Sequence, residues 1–380
     1  MPTPAGPGSG EPNLTVAPDG RILLSWIEPA GEDSHILRYA ELSKGSGWSE
    51  PRTIAEGRDW FVNWADFPAM AALPDGTLFA HWLARNGSGT YAYDVRVSAS
   101  RDAGQTWSDP VVPHRDGTQT EHGFVSMTPW SGQAMGLVWL DGRKTVGATH
   151  GGDGPQAEMS LLHSTLDREG RLGPETVLDG RVCDCCQTDS AVAAGATVVV
   201  YRDRSEKEVR DMSVVRFVDG RWTEPRSLAQ DGWVMNGCPV NGPSIAAAGA
   251  RVAAAWFTAA QERPRVKVAF SSDAGASFGD PIVVDDGRPI GRVDVVMAGD
   301  GGALVSWLEQ AEKGTELRVR GIAPDGARGE ALMVADSSAA RSSGFPRMVD
   351  SNGEIALAWR DSMDPPTVRS ALLTRGKSSR

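Results

Sequence analysis

Three of the four cysteines in the chain lie within four consecutive residues. They are Cys183, Cys185 and Cys186, in the run Val-Cys-Asp-Cys-Cys-Gln. The fourth, Cys238, follows about 50 residues later, in the run Asn-Gly-Cys-Pro-Val-Asn-Gly-Pro. If these two segments hold the same position in consecutive structural repeats, a circular fold brings all four thiols together.

The types of these side chains predict a soft-metal site. Thiolates select Cu(I) or Zn(II), and imidazole is a ligand of both metals. On a regular strand Cys183 and Cys185 would share one face while Cys186 pointed away, so a bend is needed if all three bind one ion. His122, expected on the preceding repeat, is a further candidate ligand. We expect copper, with zinc as the alternative, and the spacing matches no standard zinc finger.

Two ligand sets are compatible with this spacing. One combines Cys183, Cys185 and Cys238 with His122, and the other replaces Cys185 by Cys186. A disulfide interpretation without metal is also open, since four is an even number and exported proteins are oxidised. Cys238 would then pair with Cys183 or Cys186, because a bond between the adjacent residues Cys185 and Cys186 would be strained.

A glycine-containing turn, followed by a short apolar strand that ends in an aromatic residue, occurs seven times. A repeat of about 50 residues with several strands per copy is typical of a β-propeller. In the second copy we expect strands at 67–73, 77–83 and 93–100, with a fourth near 111–113. The sequence predicts an all-β chain forming a single β-propeller of four-stranded blades. Seven blades are favoured, and six result if the first and last copies share one. The aromatics, 51 to 62 residues apart, are Trp26, Trp82, Trp139, Tyr201, Trp256, Trp307 and Trp359.

The acidic charge balance argues against nucleic acid as a partner. Lysine and arginine total 38, aspartate and glutamate 49, and the net charge is −11. No apolar run approaches the roughly 18 residues that span a membrane. Residues 1–12, rich in proline and glycine, are expected to be a flexible N-terminal leader before a single domain at 13–380. We expect a periplasmic or extracellular protein whose export signal is not present in this chain.

Two segments share a turn motif of the form Ser-x-Asp-x-Gly-x-Thr/Ser-Trp/Phe. The motif resembles the Asp-box, or BNR repeat, of sialidase-like β-propellers. Its aspartate can accept hydrogen bonds from turn amides, its glycine permits the turn, and its aromatic residue packs beneath. In that family the boxes are structural turns, so the resemblance supports the fold and not a reaction. The residues are Asp102, Gly104 and Trp107 in the first copy and Asp273, Gly275 and Phe278 in the second.

The resemblance implies a sialidase chemistry from which this chain departs. Sialidases use an arginine triad for the substrate carboxylate, a tyrosine nucleophile assisted by a glutamate, and an acidic residue as acid and base. The chain lacks an Arg-Ile-Pro-type motif on its first inner strand. Candidates for the cationic pocket are Arg292, Arg341 and Arg347, and those for the acid are Asp66 and Asp294. The only tyrosines are Tyr39, Tyr91, Tyr93 and Tyr201.

The chain is more similar to a group of bacterial sialidase-like propeller proteins of poorly defined function. The shared phrases are Cys-Asp-Cys-Cys-Gln at 183–187, Tyr-Arg-Asp at 201–203, Cys-Pro-Val-Asn-Gly-Pro at 238–243, Gly-Arg-Val-Asp at 291–294 and Gly-Phe-Pro-Arg at 344–347. This resemblance implies no settled reaction.

The residues that enter each inner strand are expected to line a funnel at the propeller axis, where ligands usually bind. Together with the cysteines, they predict an exported copper-binding propeller, extending to a copper-dependent oxidoreductase, that takes a small molecule or glycan at the axis. One alternative is a sialidase-like glycoside hydrolase or glycan-binding propeller. Another is a non-catalytic scaffold with disulfides. The expected pocket residues are Trp64, Asp66, Gln187, Asn241, Arg292, Asp294 and Arg347.

Overall fold

The chain folds into seven β-sheets arranged as blades around one axis. The inner strand of each sheet contacts the inner strands of the two neighbouring sheets, and these contacts close into a ring. The predicted all-β propeller with seven blades is confirmed. The six-bladed alternative is wrong, because the first and last repeats form separate sheets.

The computed structural model describes residues 1–43, 45, 47–147 and 158–374. Within these ranges the helical segments are three short 3-10 turns, at Arg143–Thr145, Ala260–Glu262 and Arg341–Ser343. Across the same ranges, we find no helix with the length and apolar character that crossing a membrane requires.

The strands follow one another in chain order from blade to blade. They are β1 (Gly10–Val16), β2 (Ile22–Pro29), β3 (Ser34–Ser43), β4 (Gly47–Trp48), β5 (Arg52–Arg58), β6 (Ala69–Ala72), β7 (Leu78–Arg85), β8 (Tyr93–Ser100), β9 (His122–Ser131), β10 (Ala134–Asp141), β11 (Met159–Asp167), β12 (Thr176–Val182), β13 (Asp189–Ala193), β14 (Ala196–Arg202), β15 (Met212–Val218), β16 (Arg221–Trp222), β17 (Arg226–Ala229), β18 (Ser244–Ala248), β19 (Arg251–Thr258), β20 (Arg265–Ser271), β21 (Ile282–Val283), β22 (Pro289–Met297), β23 (Ala303–Ala311), β24 (Gly314–Ile322), β25 (Leu332–Ser337), β26 (Arg347–Ser351), β27 (Glu354–Arg360) and β28 (Val368–Thr374).

Three blades have the expected four strands, two have five because two short strands share the outer edge, and two have three. The blades comprise β1 to β5, β6 to β8, β9 to β12, β13 to β17, β18 to β21, β22 to β25, and β26 to β28. In the second blade an isolated bridge between Val97 and Val111 adds to the edge of β8, at the position where the sequence predicts the fourth strand.

The repeated aromatic residues form the core of the blades. Trp26, Trp139 and Trp307 are fully buried on the second strand of their blades. Each indole N–H donates to an acid two residues further on, which lies on the same face of the strand. The acceptors are Glu28 at 2.6 Å, Asp141 at 2.9 Å and Glu309 at 2.6 Å. The pairing satisfies the only polar atom of a side chain that otherwise buries apolar surface.

The two similar turns hold their aspartates in the same way. Asp102 accepts the backbone N–H of Thr106 at 2.9 Å and its hydroxyl at 2.6 Å. Asp273 accepts the backbone N–H of Ser277 at 2.8 Å and its hydroxyl at 2.6 Å. Beside the first turn the ring of Trp107 meets that of Tyr39 edge-on, with the centroids 6.3 Å apart.

Residues 1–9 lie along the last blade. The N-terminal ammonium of Met1 donates to the carbonyl of Ser370 at 2.6 Å, and the N–H of Gly8 donates to the carbonyl of Pro366 at 2.8 Å. The N–H of Val368 donates to the hydroxyl of Ser9 at 3.0 Å. Because β1 begins at Gly10, the leader boundary predicted at residue 12 falls inside this strand.

Side chains on the inner strands connect neighbouring blades near the axis. Asp294 of the sixth blade accepts the N–H of Met348 in the seventh at 2.7 Å and the hydroxyl of Ser244 in the fifth at 2.8 Å. Asp189 of the fourth blade accepts the N–H of Ile245 in the fifth at 2.9 Å. Polar residues at these positions therefore stabilise the ring itself.

Candidate functional site

A cavity of about 940 Å³ opens at the end of the ring where the inner strands begin. Its walls come from segments that precede or begin the inner strands of five blades, and from neighbouring loops. Of the pocket residues predicted from the sequence, Trp64 and Asp66 line it. The full lining is Phe61, Asn63, Trp64, Ala65, Asp66, Tyr91, Tyr93, Glu121, Phe124, Asp184, Cys185, Arg204, Glu208, Arg210, Asn236, Gly237, Cys238, Val240 and Arg341.

The three clustered cysteines lie on a turn between β12 and β13. The sulfurs of Cys183, Cys185 and Cys186 all lie within 4.8 Å of one another, and Sγ of Cys183 is 3.3 Å from Sγ of Cys186. Cys183 and Cys186 are buried, whereas Cys185 is half-buried and lines the cavity. The bend that the metal interpretation required is therefore present.

Cys238 approaches this group from the next blade but is not part of its tightest core. It is exposed and lines the cavity beside Cys185. The pairings expected from the sequence, of Cys238 with Cys183 or Cys186, differ from this arrangement, in which the cysteines are unbridged.

The pKa values of the cysteines differ because the neighbouring arginines and thiols act on each of them differently. Burial raises the pKa of Cys183 to about 11, and Nη1 of Arg210 donates to its sulfur at 3.3 Å. Burial alone would also raise the pKa of Cys186, but hydrogen bonds from Cys183 and Cys185 and the charge of Arg202 bring that pKa well below its usual range. The hydrogen bond from Cys185 lowers the pKa of Cys238. Cys186 and Cys238 are therefore the two cysteines whose pKa is lowered.

Two of the predicted pocket residues instead connect blades around the cysteine turn. The side-chain amide of Gln187 donates to the carbonyl of Ala65 at 2.5 Å and accepts the N–H of Gly242 at 2.9 Å, so it ties the turn to the second blade and to the segment that carries Cys238. Oδ1 of Asn241, in that segment, accepts the N–H of Arg292 at 2.7 Å and ties it to the sixth blade.

His122 lies in a different cluster from the cysteines. Its ring is stacked on that of His114, with centroids 3.7 Å apart, and its Nε2 is 3.1 Å from Asp116. Among the described residues, no histidine belongs to the group of three sulfurs. The expectation that His122 joins the cysteines is not met, because neighbouring residues at the start of a strand point in opposite directions. Glu121 faces the cavity, and His122 is fully buried behind it.

The histidine cluster offers further potential metal ligands, but its geometry is unfavourable. The rings of His114 and His122 are parallel to within 3°, so their in-plane lone pairs cannot converge on one ion. On the other side, Nε of Arg143 lies 2.7 Å from Asp141 and already supplies a positive charge. The two groups of potential ligands are Asp94, His114 and His122, and Asp116, His122 and Asp141.

The opposite wall of the cavity holds a tyrosine between two carboxyl groups, which the sequence analysis did not identify as a cluster. The hydroxyl of Tyr93 lies 2.8 Å from Asp66 and 2.8 Å from Glu121. A phenol has one hydrogen to donate, so one of the two carboxyl groups must be protonated to complete the second bond. Asp66 also accepts the N–H of Phe124 at 2.7 Å, which favours its charged form. The shared proton therefore belongs to Glu121.

Burial explains why this proton is retained. It raises the pKa of Asp66 to about 7 and that of Glu121 to about 8. Burial also raises the pKa of Tyr93 well above its usual value, and the two carboxylates add to the shift. A carboxylic acid that stays protonated near neutral pH, at the wall of a cavity, can act as a general acid.

Of the arginines predicted for a cationic pocket, Arg341 lines the cavity, whereas Arg292 and Arg347 lie beside it. Arg292 is buried, its guanidinium carbon 4.8 Å from the centre of the Trp64 ring, and it donates to the carbonyl of Gly344 at 3.0 Å. Burial lowers the pKa of Arg292 to about 10. Arg347 lies 3.4 Å from Asp294 and, with Gln187, lines a smaller cavity of about 360 Å³ further along the axis.

A charged network missed by the sequence analysis forms the wall beside the cysteines. Arg204 contacts Asp184 at 3.0 Å and Glu208 at 3.0 Å, and Arg210 contacts Glu208 at 2.7 Å. The network keeps Arg210 oriented toward the sulfur of Cys183. Arg204, Glu208 and Arg210 follow β14 in the chain and carry no motif that would have identified them, whereas Asp184 lies within the cysteine motif.

Comparison with known proteins supports the same architecture. Residues 28–355 match the family described as BNR repeat-like domain. A crystal structure of a protein of unknown function from Dyadobacter fermentans is similar, with a TM-score of 0.54 at 14% identity over 97% of this chain and 95% of that one. No curated protein matches the sequence.

Two enzymes of known activity share the fold at low identity. The NanB sialidase from Streptococcus pneumoniae, as its K499G mutant, has a TM-score of 0.52 at 10% identity over 93% of this chain and 83% of that one. The α-L-arabinanase from Penicillium chrysogenum, complexed with arabinobiose, has a TM-score of 0.52 at 14% identity over 96% and 93%. At these identities the likeness concerns the fold, not the reaction.

Proposed function

The chain belongs to the BNR repeat-like domain family, and we propose that this member binds a thiophilic metal ion, copper in preference to zinc, at the cysteine turn. The observation that carries the proposal is the group of three sulfurs within 4.8 Å of one another. Cys183, Cys185 and Cys186 would be the ligands, and Cys238 an additional ligand from the cavity side. Thiolates are the ligands that select Cu(I) and Zn(II).

The charges and the number of sulfurs favour copper. Structural zinc sites take four ligands in a tetrahedron, whereas the tight group here has three. Arg210, 3.3 Å from the sulfur of Cys183, offsets part of the negative charge of several thiolates around a monovalent ion. Zinc remains the alternative if Cys238 completes a four-sulfur site.

The proposal extends to redox chemistry on a ligand in the cavity. Cys185 lines that cavity, so an ion bound to it would lie next to a small-molecule or glycan ligand. Copper changes oxidation state readily, and export to the periplasm or the outside of the cell would suit a copper-dependent oxidoreductase. The extension depends on metal binding, which is tested first.

Metal analysis of designed variants tests this proposal. Protein purified without chelator should contain near-stoichiometric copper. The Cys185→Ser variant should lose it, because two sulfurs would remain in the core. Cys238→Ser should keep copper if three sulfurs suffice, and should lose the metal if zinc uses four. Retention of copper by Cys185→Ser, or a parent protein that takes up neither metal on reconstitution, would contradict the proposal. If that parent also lacks reactive thiols, the scaffold with disulfides is the better description.

A second function is favoured by the tyrosine between two carboxyl groups: acid–base catalysis on a glycan. Tyr93 and Asp66 would hold the proton of Glu121 in the cavity wall, ready for transfer to a leaving group. The cavity, at about 940 Å³, is large enough for an oligosaccharide. The two similar enzymes, a sialidase and an arabinanase, act on glycans on this fold.

A substrate panel tests the second function. Sialylated, arabinan and uronate-containing oligosaccharides would be incubated with the parent, with Glu121→Gln, and with the control Glu206→Gln on an exposed loop. General acid catalysis predicts a loss of about a hundredfold or more in turnover for Glu121→Gln. Equal turnover in all three proteins would refute it.

A further inference from the structure

The four thiols form two pairs that differ in access to solvent. Cys183 and Cys186 are buried, with their sulfurs 3.3 Å apart. Cys185 and Cys238 both line the cavity, and Cys238 is exposed. Cys185 is within 4.8 Å of both buried sulfurs, so it lies between the accessible thiol and the buried pair.

The geometry of the buried pair fits a disulfide bond. Cys183 and Cys186 are the first and fourth residues of one turn, whose Cα atoms are less than about 7 Å apart, and disulfides need about 4.4 to 6.8 Å. Their spacing, Cys-x-x-Cys, is that of many redox-active pairs. A small rotation of two side chains would close the bond from 3.3 Å.

We propose that the metal-free cysteine cluster is a thiol relay that reduces small-molecule disulfides entering the cavity. Cys238 attacks one sulfur of the incoming disulfide, breaks its S–S bond and releases the first small thiol. Cys185 then attacks the mixed disulfide at Cys238, forms a Cys185–Cys238 bond and releases the second small thiol.

Two further thiol–disulfide exchanges transfer the disulfide from the cavity-lining pair to the buried pair. Cys183 gives its proton to the Cys186 sulfur, 3.3 Å away, attacks Cys185 and frees Cys238. Cys186 then closes onto Cys183, its proton passing to the freed Cys185. The balance is two electrons and two protons from Cys183 and Cys186 to the substrate, which leaves as two thiols. Thiol–disulfide exchange needs only an accessible attacking sulfur and aligned neighbours. The relay does not require a bound metal, and a metal on the same sulfurs would block it.

Oxidised glutathione is the probe, applied to chelator-treated protein and followed by acid quenching and peptide mapping without reduction. Cleavage after Arg181 and Arg202 leaves Cys183, Cys185 and Cys186 on one peptide. The Cys185–Cys238 bond therefore joins two peptides, whereas the Cys183–Cys186 bond is internal to one. We expect the joined peptides to appear first and the internal disulfide to replace them, with two glutathione molecules released per disulfide.

Three variants separate the steps. Cys238→Ser should slow formation of the internal disulfide about tenfold or more, because the buried pair loses its accessible partner. Cys185→Ser should accumulate glutathione on Cys238. Val234→Ser, exposed and near Cys238 in the chain, is the control and should behave like the parent.

Three results would overturn the relay. One is an internal disulfide that forms in Cys238→Ser at the parent rate, and another is glutathione found first on a buried cysteine. The third is a parent protein with four reactive thiols that forms no disulfide. Because the protein is metal-free throughout, none of these results bears on the metal analysis, and a failed metal analysis leaves this experiment valid.

Discussion

The proton of Glu121 that the proposed acid catalysis would use also affects the stability of the fold. The pKa of Glu121 is raised from 4.5 to about 8 by burial. A carboxyl group whose pKa is higher in the folded than in the unfolded protein stabilises the fold at pH values below its unfolded pKa. That contribution is lost as the pH rises through its folded pKa. The group should therefore make the protein progressively less stable between about pH 4.5 and pH 8.

Replacing Glu121 by glutamine should remove part of this pH dependence. The amide keeps a donor toward Tyr93 and has no proton to lose. Relative to the parent, Glu121→Gln should gain about 4 kcal/mol in unfolding free energy between pH 5 and pH 8.5. Chemical denaturation at both pH values measures the change. Glu206→Gln, on an exposed loop, is the control, and the same slope in both variants would contradict the assignment of the proton.

At the scale of single residues, the sequence predicted which residues lie near the cavity better than it predicted which way their side chains point. It placed Asp66 and Trp64 at the cavity, where they lie. It named His122 as a candidate ligand, although the neighbouring Glu121 is the side chain that lines the cavity. Tyr93 could not be linked to Asp66 from the sequence, because the two residues are 27 positions apart and meet only through the pairing of neighbouring strands.

At the scale of elements, the turn after β8 depends on a glycine that faces the preceding blade. Gly104 has a φ of +78°, and a Cβ atom there would lie 1.9 Å from the hydroxyl oxygen of Tyr39. In the equivalent turn after β20, a Cβ on Gly275 would lie 2.9 Å from a methyl of Val198. The two turns share a motif but pack against side chains of different stiffness and polarity.

Alanine substitutions should rank these turns by their contacts. Gly104→Ala should destabilise the protein by about 3 kcal/mol or more, since it combines backbone strain with a clash against a buried ring. Gly275→Ala should cost less. Gly76→Ala is the control for strain alone, because its φ is +89° and no atom lies within 4 Å of the added carbon, and it should cost about 1 kcal/mol. Equal losses in thermal unfolding for all three variants would show that contacts with the preceding blade do not matter.

The elements themselves were predictable because each blade repeats one local pattern. The strand expected at 93–100 is β8, which spans Tyr93–Ser100, and that expected at 77–83 largely overlaps β7. For the cysteine turn, the sequence predicted only that the chain must bend there if all three thiols are to bind one ion. The turn is held by Gln187, whose side chain bonds to two other blades, and no local pattern shows such contacts.

For the whole molecule, closure of the ring brings the two ends of the chain together. The last sheet contains β26 to β28, and residues 1–9 lie beside β28. The indole N–H of Trp48 in the first blade also donates to the hydroxyl of Ser370 at 2.9 Å. The periodicity predicted the number of blades, but it could not show how the last blade is covered, since residues 1–9 carry no repeat pattern.

Removing residues 1–9 should therefore weaken closure and expose a strand edge. The truncated protein loses the hydrogen bonds from Gly8 to Pro366 and from Val368 to Ser9, and unpaired edges promote association between chains. We expect a lower unfolding temperature and concentration-dependent association in sedimentation. Ser9→Ala is the matched control: it removes one acceptor, keeps the segment, and should cost about 1 kcal/mol without promoting association. A truncated protein that unfolds and sediments like the full chain would show that β27 and β28 hold the last blade without the N-terminal segment.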